Sequence, residues 1–365
     1  EKGEVMCGKY LLMLLVFAAS PATAAIQEVV SPDPETSGRF GGALAAVPDV
    51  NGNGAAELLV GASWQSDAGI ALAGKAYLID ARSLVALHSF ESPNAEGAGA
   101  FGFAVGVVPD VTGDGRSELI VSAPQEDVGA VNDAGRAYLF DGTSGQLLRT
   151  LSAQTPRPNE AFGETVAGVP DIDGDGLGDV LIGLPHSATG DVLDVGGVRI
   201  LSGATGVQLR ALRSPSPQGE ALFGSCLAGI PDLNGDGRGD VLVGAPGEEG
   251  NGQPKSGRVY VFSGATGLVL HTFASPRNAA FGRFGLAAAL LGDVNSDGWP
   301  EYVIAAQPEE GDGTTGVRHV YVFDPVTQTA LYQVSSPRTR TDTWFGEALA
   351  AGLDVNGDGM PDFVA

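Results

Sequence analysis

One acidic nonapeptide recurs six times at a constant spacing, and it constrains this chain more than any other feature. Its oxygen-bearing positions 1, 3, 5 and 9 are Asp49, Asn51, Asn53 and Glu57 in the first copy and Asp110, Thr112, Asp114 and Glu118 in the second. The third copy has Asp171, Asp173, Asp175 and Asp179, and the fourth has Asp232, Asn234, Asp236 and Asp240. Asp293, Asn295, Asp297 and Glu301 form the fifth; Asp354, Asn356, Asp358 and Asp362 form the sixth. Successive copies start 61 residues apart without exception. Oxygens at this spacing can converge on one hard cation, and the Gly at position 6 permits the turn between them. A period of this length marks a repeat architecture, so metal chemistry and fold arise from one signal.

The rest of the chain keeps the same period. Phe-Gly pairs stand at Phe40, Phe101, Phe162, Phe223, Phe284 and Phe345, each opening a run of small and apolar residues. An apolar run such as Leu119-Ile120-Val121 follows each acidic loop, then a variable polar loop, then an alternating run such as Arg136-Ala137-Tyr138-Leu139-Phe140. A Gly-containing turn leads to a fourth run, for example Leu268 to Phe273. Four short β-like segments per unit, here A to D, separated by Gly, Asp, Pro and Ser turns, predict an all-β fold. Units of four strands stacked radially are the blades of a β-propeller, and small residues in segment A suit its crowded centre.

A Phe-Gly pair, an Asp-x-Asn/Asp-x-Asp-Gly-x-x-Asp/Glu loop and a Gly-Ala-Pro in register resemble FG-GAP repeats, which build the propeller of integrin α subunits and of many bacterial extracellular proteins. The resemblance covers residues 26–365, or about five and a half repeats. It implies seven blades in a full ring, an acidic loop in each A–B hairpin, and Ca²⁺ as cofactor with up to one ion per loop. Gly183-Leu184-Pro185 and Ala305-Ala306-Gln307 depart from Gly-Ala-Pro at positions expected to pack. The resemblance also places partner binding on the face opposite the loops. There the B–C and D–A connections carry Trp64, Glu126, Asp127, Glu248, Glu249, Arg338, Arg340 and Trp344, a mixture that suits protein or glycan recognition.

The formal charge of −24 excludes nucleic acid and anionic membrane surfaces as natural partners. The loops supply 18 of the 44 acidic residues. Residues 1–24 read as a secretory signal: Lys9, the apolar run from Leu11 to Ala19, then Ala22-Thr23-Ala24, with Met6 as a plausible start. No second apolar segment suggests a membrane anchor. The propeller is therefore expected over 25–365, secreted to the extracellular space or cell surface. Ile26 to Pro32 aligns with Leu87 to Pro93 one period on, which makes it a segment D without its A, B and C. Such a strand would close the ring against the last blade. Because the chain stops within segment B of the sixth unit, a C-terminal truncation is expected.

Removal of the signal leaves Cys226 as the one thiol, read as a small strand-A residue. Arg238-Gly239-Asp240 spells an integrin-ligand tripeptide but lies inside a metal loop, with Asp240 at position 9. Loop 3, with four Asp, is expected to bind most tightly and loop 1 most weakly. No nucleophile elbow, phosphate loop or paired His motif is present, and His186 and His319 stand alone in the sequence. The expectation is thus a non-enzymatic, secreted, calcium-binding propeller acting as a protein- or glycan-binding adhesion module. The alternative is a non-catalytic propeller within a larger extracellular enzyme that degrades polysaccharides or cleaves phosphodiesters.

Overall fold

The computed structural model describes residues 12–15, 26–188, 190, 192–309, 317–336, 345–353 and 359–365. Among these residues every regular element is a strand, and no helix is long and apolar enough to cross a membrane. Five four-stranded antiparallel sheets follow one another along the chain as propeller blades. Blade 1 contains β3 (Phe40–Val47), β4 (Glu57–Ala62), β5 (Lys75–Asp80) and β6 (Ala86–Glu91). In blade 2 the strands are β7 (Val105–Val108), β8 (Glu118–Ala123), β9 (Arg136–Phe140) and β10 (Leu147–Leu151). Blade 3 has β11 (Thr165–Val169), β12 (Asp179–Gly183), β13 (Val198–Ser202) and β14 (Gln208–Leu212). Blade 4 has β15 (Leu227–Ile230), β16 (Asp240–Ala245), β17 (Arg258–Ser263) and β18 (Val269–Phe273). Blade 5 runs from β19 (Ala288–Gly292) through β20 (Glu301–Ala306) and β21 (His319–Phe323) to β22 (Ala330–Ser335). A and B of the sixth unit are β23 (Ala350–Leu353) and β24 (Asp362–Val364).

Burial follows strand order. Second strands such as Glu118–Ala123 are buried along their whole length, because they lie between A and C and are covered on both faces by adjacent blades. Their uninterrupted apolar runs reflect this. Fourth strands such as Leu147–Leu151 are half exposed and form the outer rim. The innermost strands touch in sequence, β3 to β7 to β11 to β15 to β19 to β23. That contact demands small residues: a Cβ added at Gly168 or Gly229 would collide with the backbone of the preceding first strand. The cores lie between blades. Phe101 sits among Val47, Leu59 and Leu78 of blade 1 and Val121 and Tyr138 of blade 2. Phe223 fills the same place between blades 3 and 4.

The N-terminal segment takes part in this packing. β2 (Ile26–Val29) brings Val29 against Val60, Ala62, Tyr77 and Ile79. Phe90, one period later, packs against blade 2 in the same way, so β2 occupies the place of a fourth strand. It pairs with β1 (Leu12–Leu15), inside the apolar run read as a signal.

Candidate functional site

The acidic loops are the A–B hairpin connections, as the resemblance implies. The last pair before each loop is closed by position 9: Val47 faces Glu57, Val108 faces Glu118, Val169 faces Asp179 and Ile230 faces Asp240. Position 9 is therefore the first residue of a fully covered strand, and its carboxylate is buried in all five of these blades, Glu301 included. One of its oxygens accepts the position 2 amide, from Val50 at 2.9 Å, Val111 at 2.7 Å, Ile172 at 2.8 Å, Leu233 at 2.8 Å and Val294 at 2.6 Å. Position 1 folds the loop. Asp110 Oδ1 accepts Gly113 N at 2.6 Å and its Oδ2 accepts Gly115 N at 2.7 Å. Gly at position 6 has φ between +81° and +93° in loops 1 to 5, the left-handed region assigned to it. Ser296 replaces Gly at position 4 of loop 5 and takes φ +63°.

These turns bring carboxylates together. Ligand atoms of Asp110, Asp114 and Glu118 lie within 4.8 Å of one another, as do those of Asp171, Asp173 and Asp179, and of Asp293, Asp297 and Glu301. Burial raises the pKa of Glu57, Asp240 and Glu301, lifts Glu118 to about 7 and Asp179 to about 6, and neighbouring Asp side chains push the same way. Glu301 Oε1 is buried without any hydrogen-bond partner. A buried anion facing other anions with a lone pair unused is the donor set of a hard divalent cation, which would reverse the electrostatic cost.

Several expectations need adjustment. Asp175 lies outside the converging set of loop 3; its Oδ1 accepts Leu177 N at 2.8 Å. Loop 1 gains a carboxylate that sequence reasoning missed. Asp80, at the end of β5, accepts Asn51 Nδ2 at 3.2 Å and also Asn53 Nδ2. Its signal was the recurrence of Asp or Ser one residue beyond the aromatic run, at Asp80, Asp141, Ser202, Ser263 and Asp324. Of loop 6, Asp354, Asn356 and Asp358 lie outside the described residues, and Asp362 opens β24. The tripeptide at 238–240 is spent on structure: Asp240 is fully buried, and Arg238 Nη1 holds Asp171 Oδ2 of the preceding loop at 2.9 Å. Cys226 is buried against Gly285 O at 3.3 Å, and burial pushes its thiol up to about 12.

On the opposite face, Glu126 and Glu248 are not exposed recognition residues, which corrects the sequence reading. Both are buried in a device that joins adjacent blades. Ser92, at the end of one blade's fourth strand, and Tyr138, in the next blade's third strand, both donate to Glu126. Ser214 and Tyr260 donate to Glu248, and Ser275 and Tyr321 to Glu309. Blade 1 has the neutral version, with Tyr77 Oη 3.0 Å from Gln65 Oε1. Trp64 is 39% exposed and lies beneath the Arg39 guanidinium at 3.3 Å. Glu249 is exposed and Asp127 half-buried, whereas Arg338, Arg340 and Trp344 lie outside the described residues. His186, solitary in the sequence, stands 3.0 Å from Asp194 and 3.4 Å from Glu164 at the edge of a cavity. The sequence had suggested no such convergence.

The fold and loops define a β-propeller whose blades present acid-lined hairpins on one face and buried Glu–Tyr ties on the other. The family model for the FG-GAP repeat matches residues 101–140 and 223–262, in the second and fourth units. The chain is 34% identical over 182 residues to integrin alpha-PS5 of Drosophila melanogaster, a match spanning 48% of this chain and 18% of that protein. It is 30% identical over 240 residues to integrin alpha pat-2 of Caenorhabditis briggsae, spanning 57% and 19%. With integrin alpha-7 of Rattus norvegicus it shares 35% over 147 residues, spanning 39% and 12%. The chain carries FG-GAP repeats on a β-propeller and is similar to integrin α subunits, and it matches less than a fifth of the length of these relatives.

Proposed function

We propose that the chain is an extracellular, calcium-stabilised propeller that serves as a protein- or glycan-binding adhesion module. The observation that carries the calcium reading is the buried position 9 carboxylate, with its partnerless oxygen at Glu301, converging with the position 1 acid and a position 5 acid in loops 2 and 5 and a position 3 acid in loop 3. Such a group costs several kcal/mol unless a cation offsets it. The integrin-α likeness supports the binding role and the extracellular setting, and the exposed Trp64 on the face away from the loops suits contact with a partner.

Calcium binding is tested by thermal melting and titration calorimetry with calcium and with chelator. A ligand confined to the folded state adds about 2.7 kcal/mol per site at a hundredfold excess over Kd. Several filled loops should shift the midpoint upward by many degrees. Equal midpoints would overturn the calcium reading. Export is tested separately, by expression of the reading frame with its leader and sequencing of the mature N-terminus. Cleavage after Ala24 is expected, and retention of residues 12–24 on an exported chain would refute it.

A further inference from the structure

Blade 3 breaks the repeat at five columns that meet at one place. Ala153, Ser187 and Arg199 stand where blades 2, 4 and 5 have the Ser–Glu–Tyr tie. Gly197 replaces the cation that opens the third strand as Lys75, Arg136 and Arg258. Glu160 replaces the small residue that is Gly38, Gly99, Ala221 and Gly282 elsewhere. The small residue matters in those blades, because a Cβ at Gly99 or Gly282 would press on the Glu126 or Glu309 side chain. In blade 3 the carboxylate comes from the other wall instead, and Glu160 Oε1 lies 3.6 Å from Arg199 Nη2.

The exchange is not volume-neutral. Three side chains shrink, and a cavity of about 250 Å³ opens between the end of blade 2 and blade 3. Arg157, Arg199 and Arg213 line it with Glu160, Gln154 and Ser187. Among the described lining residues, three guanidiniums thus meet one carboxylate, in a protein of net charge −24. Arg199 is largely buried; that burial lowers its pKa, Glu160 opposes the shift, and Arg213 and Arg157 add to it. Glu160 is 6% exposed, and its Oε2 is buried with no hydrogen-bond partner.

Each feature selects part of a ligand. Guanidiniums favour a carboxylate, which they hold through paired, charge-assisted hydrogen bonds. The unpartnered Glu160 oxygen accepts only from a donor, so the same ligand must carry a hydroxyl or amide close to its acid group. The space admits about one pyranose ring. We propose that this cavity binds a hexuronate residue of an acidic glycan, with its carboxylate toward the arginines and a ring hydroxyl donating to Glu160 Oε2. This names a ligand class for the binding module proposed above and rests on that reading.

The test uses the full chain with calcium present. Calorimetry would compare galacturonate and its trimer, glucose, acetate, and a Glu-rich peptide. Uronate should bind, more strongly as the trimer, and weaken with added salt; glucose and acetate should be at least tenfold poorer. Arg213→Gln and Arg157→Gln should each reduce uronate affinity several-fold. A restored blade carrying Ala153→Ser, Glu160→Gly, Ser187→Glu, Gly197→Arg and Arg199→Tyr should lose uronate binding and keep the calcium-dependent melting shift. That shift separates failure of this site from failure of the calcium-stabilised module. No uronate binding by the calcium-loaded protein, equal binding of acetate, or preference for the acidic peptide would each overturn the assignment.

Discussion

At the scale of single residues, the buried acids of the inter-blade ties make a signed prediction. Desolvation is the largest influence on Glu126 and lifts it to about 7 from an ordinary 4.5, against the pull of its Ser92 and Tyr138 hydrogen bonds. Below 4.5 the group is protonated whether the chain is folded or not. Between 4.5 and 7 the unfolded chain releases the proton while the folded chain keeps it, so this contribution to stability falls as pH rises and is gone above 7. The interval corresponds to at most about 3 kcal/mol. Glu126→Gln removes the titration and copies Gln65, which already fills this column in blade 1. At saturating calcium, denaturant titrations should find the variant equal to wild type near pH 4 and about 1–3 kcal/mol more stable near pH 8. A parallel pH dependence in both proteins would refute a buried, proton-holding Glu126. The loops invite a second comparison. Asp173 belongs to the converging set of loop 3 and Asp175 does not, so Asp173→Ala should weaken calcium binding at that loop about tenfold and more than Asp175→Ala does. Calorimetric titration of both variants decides it; the reverse order would mean that the loop closes differently around the ion.

Strands and turns were the most legible scale, and one pair of substitutions shows why. Gly102 of the second Phe-Gly pair has φ +84°, and a Cβ there would fall on the Lys75 carbonyl of the preceding blade. Gly115, in loop 2, has a similar φ of +82° but nothing within 4 Å of an added Cβ. Gly115→Ala should therefore cost only the left-handed penalty of about 1–2 kcal/mol, and Gly102→Ala at least about twice that. Equal losses in chemical denaturation would mean that blades do not meet at the Phe-Gly pairs. Both glycines were visible in the sequence because they recur every period; the role of Gly115 depends on its own loop, whereas that of Gly102 needed the contact with the preceding blade. The ties were not read, although Ser92, Glu126 and Tyr138 recur at the same period. Their members lie in three different segments, and Glu126 sits in a connection whose variable length and polarity resemble a solvated loop. Only the register of fourth strand against next blade brings the columns together. Asp80 escaped for the same reason: it ends β5 and reaches loop 1 across the sheet. The departures in blade 3 were visible as letters, but their meaning depended on knowing that five columns converge.

For the whole molecule the governing quantity is charge. A chain of net −24 places acidic loops side by side on one face, because every A–B hairpin emerges at the same end of its blade. Self-repulsion of this kind opposes the compact state, and it is relieved by mobile ions as well as by bound ones. Screening lengths fall from about 30 Å at 0.01 M salt to about 8 Å at 0.15 M, so repulsion between exposed charges weakens strongly over this range. In chelator, the melting midpoint should climb by several degrees between those salt concentrations, because sodium chloride would do weakly and without specificity what the proposed divalent ions would do at the loops. With calcium in excess the midpoint should be higher at every salt concentration and its slope against salt much smaller, since loop carboxylates already paired with a cation have less repulsion left to screen. Magnesium tests the geometry rather than the charge: it holds water more firmly and prefers few protein oxygens, so it should recover only a minor part of the calcium effect. A salt slope unchanged by calcium would show that repulsion within the loops does not limit stability, and full replacement by magnesium would show that charge alone, without the convergent oxygen set, accounts for the stabilisation.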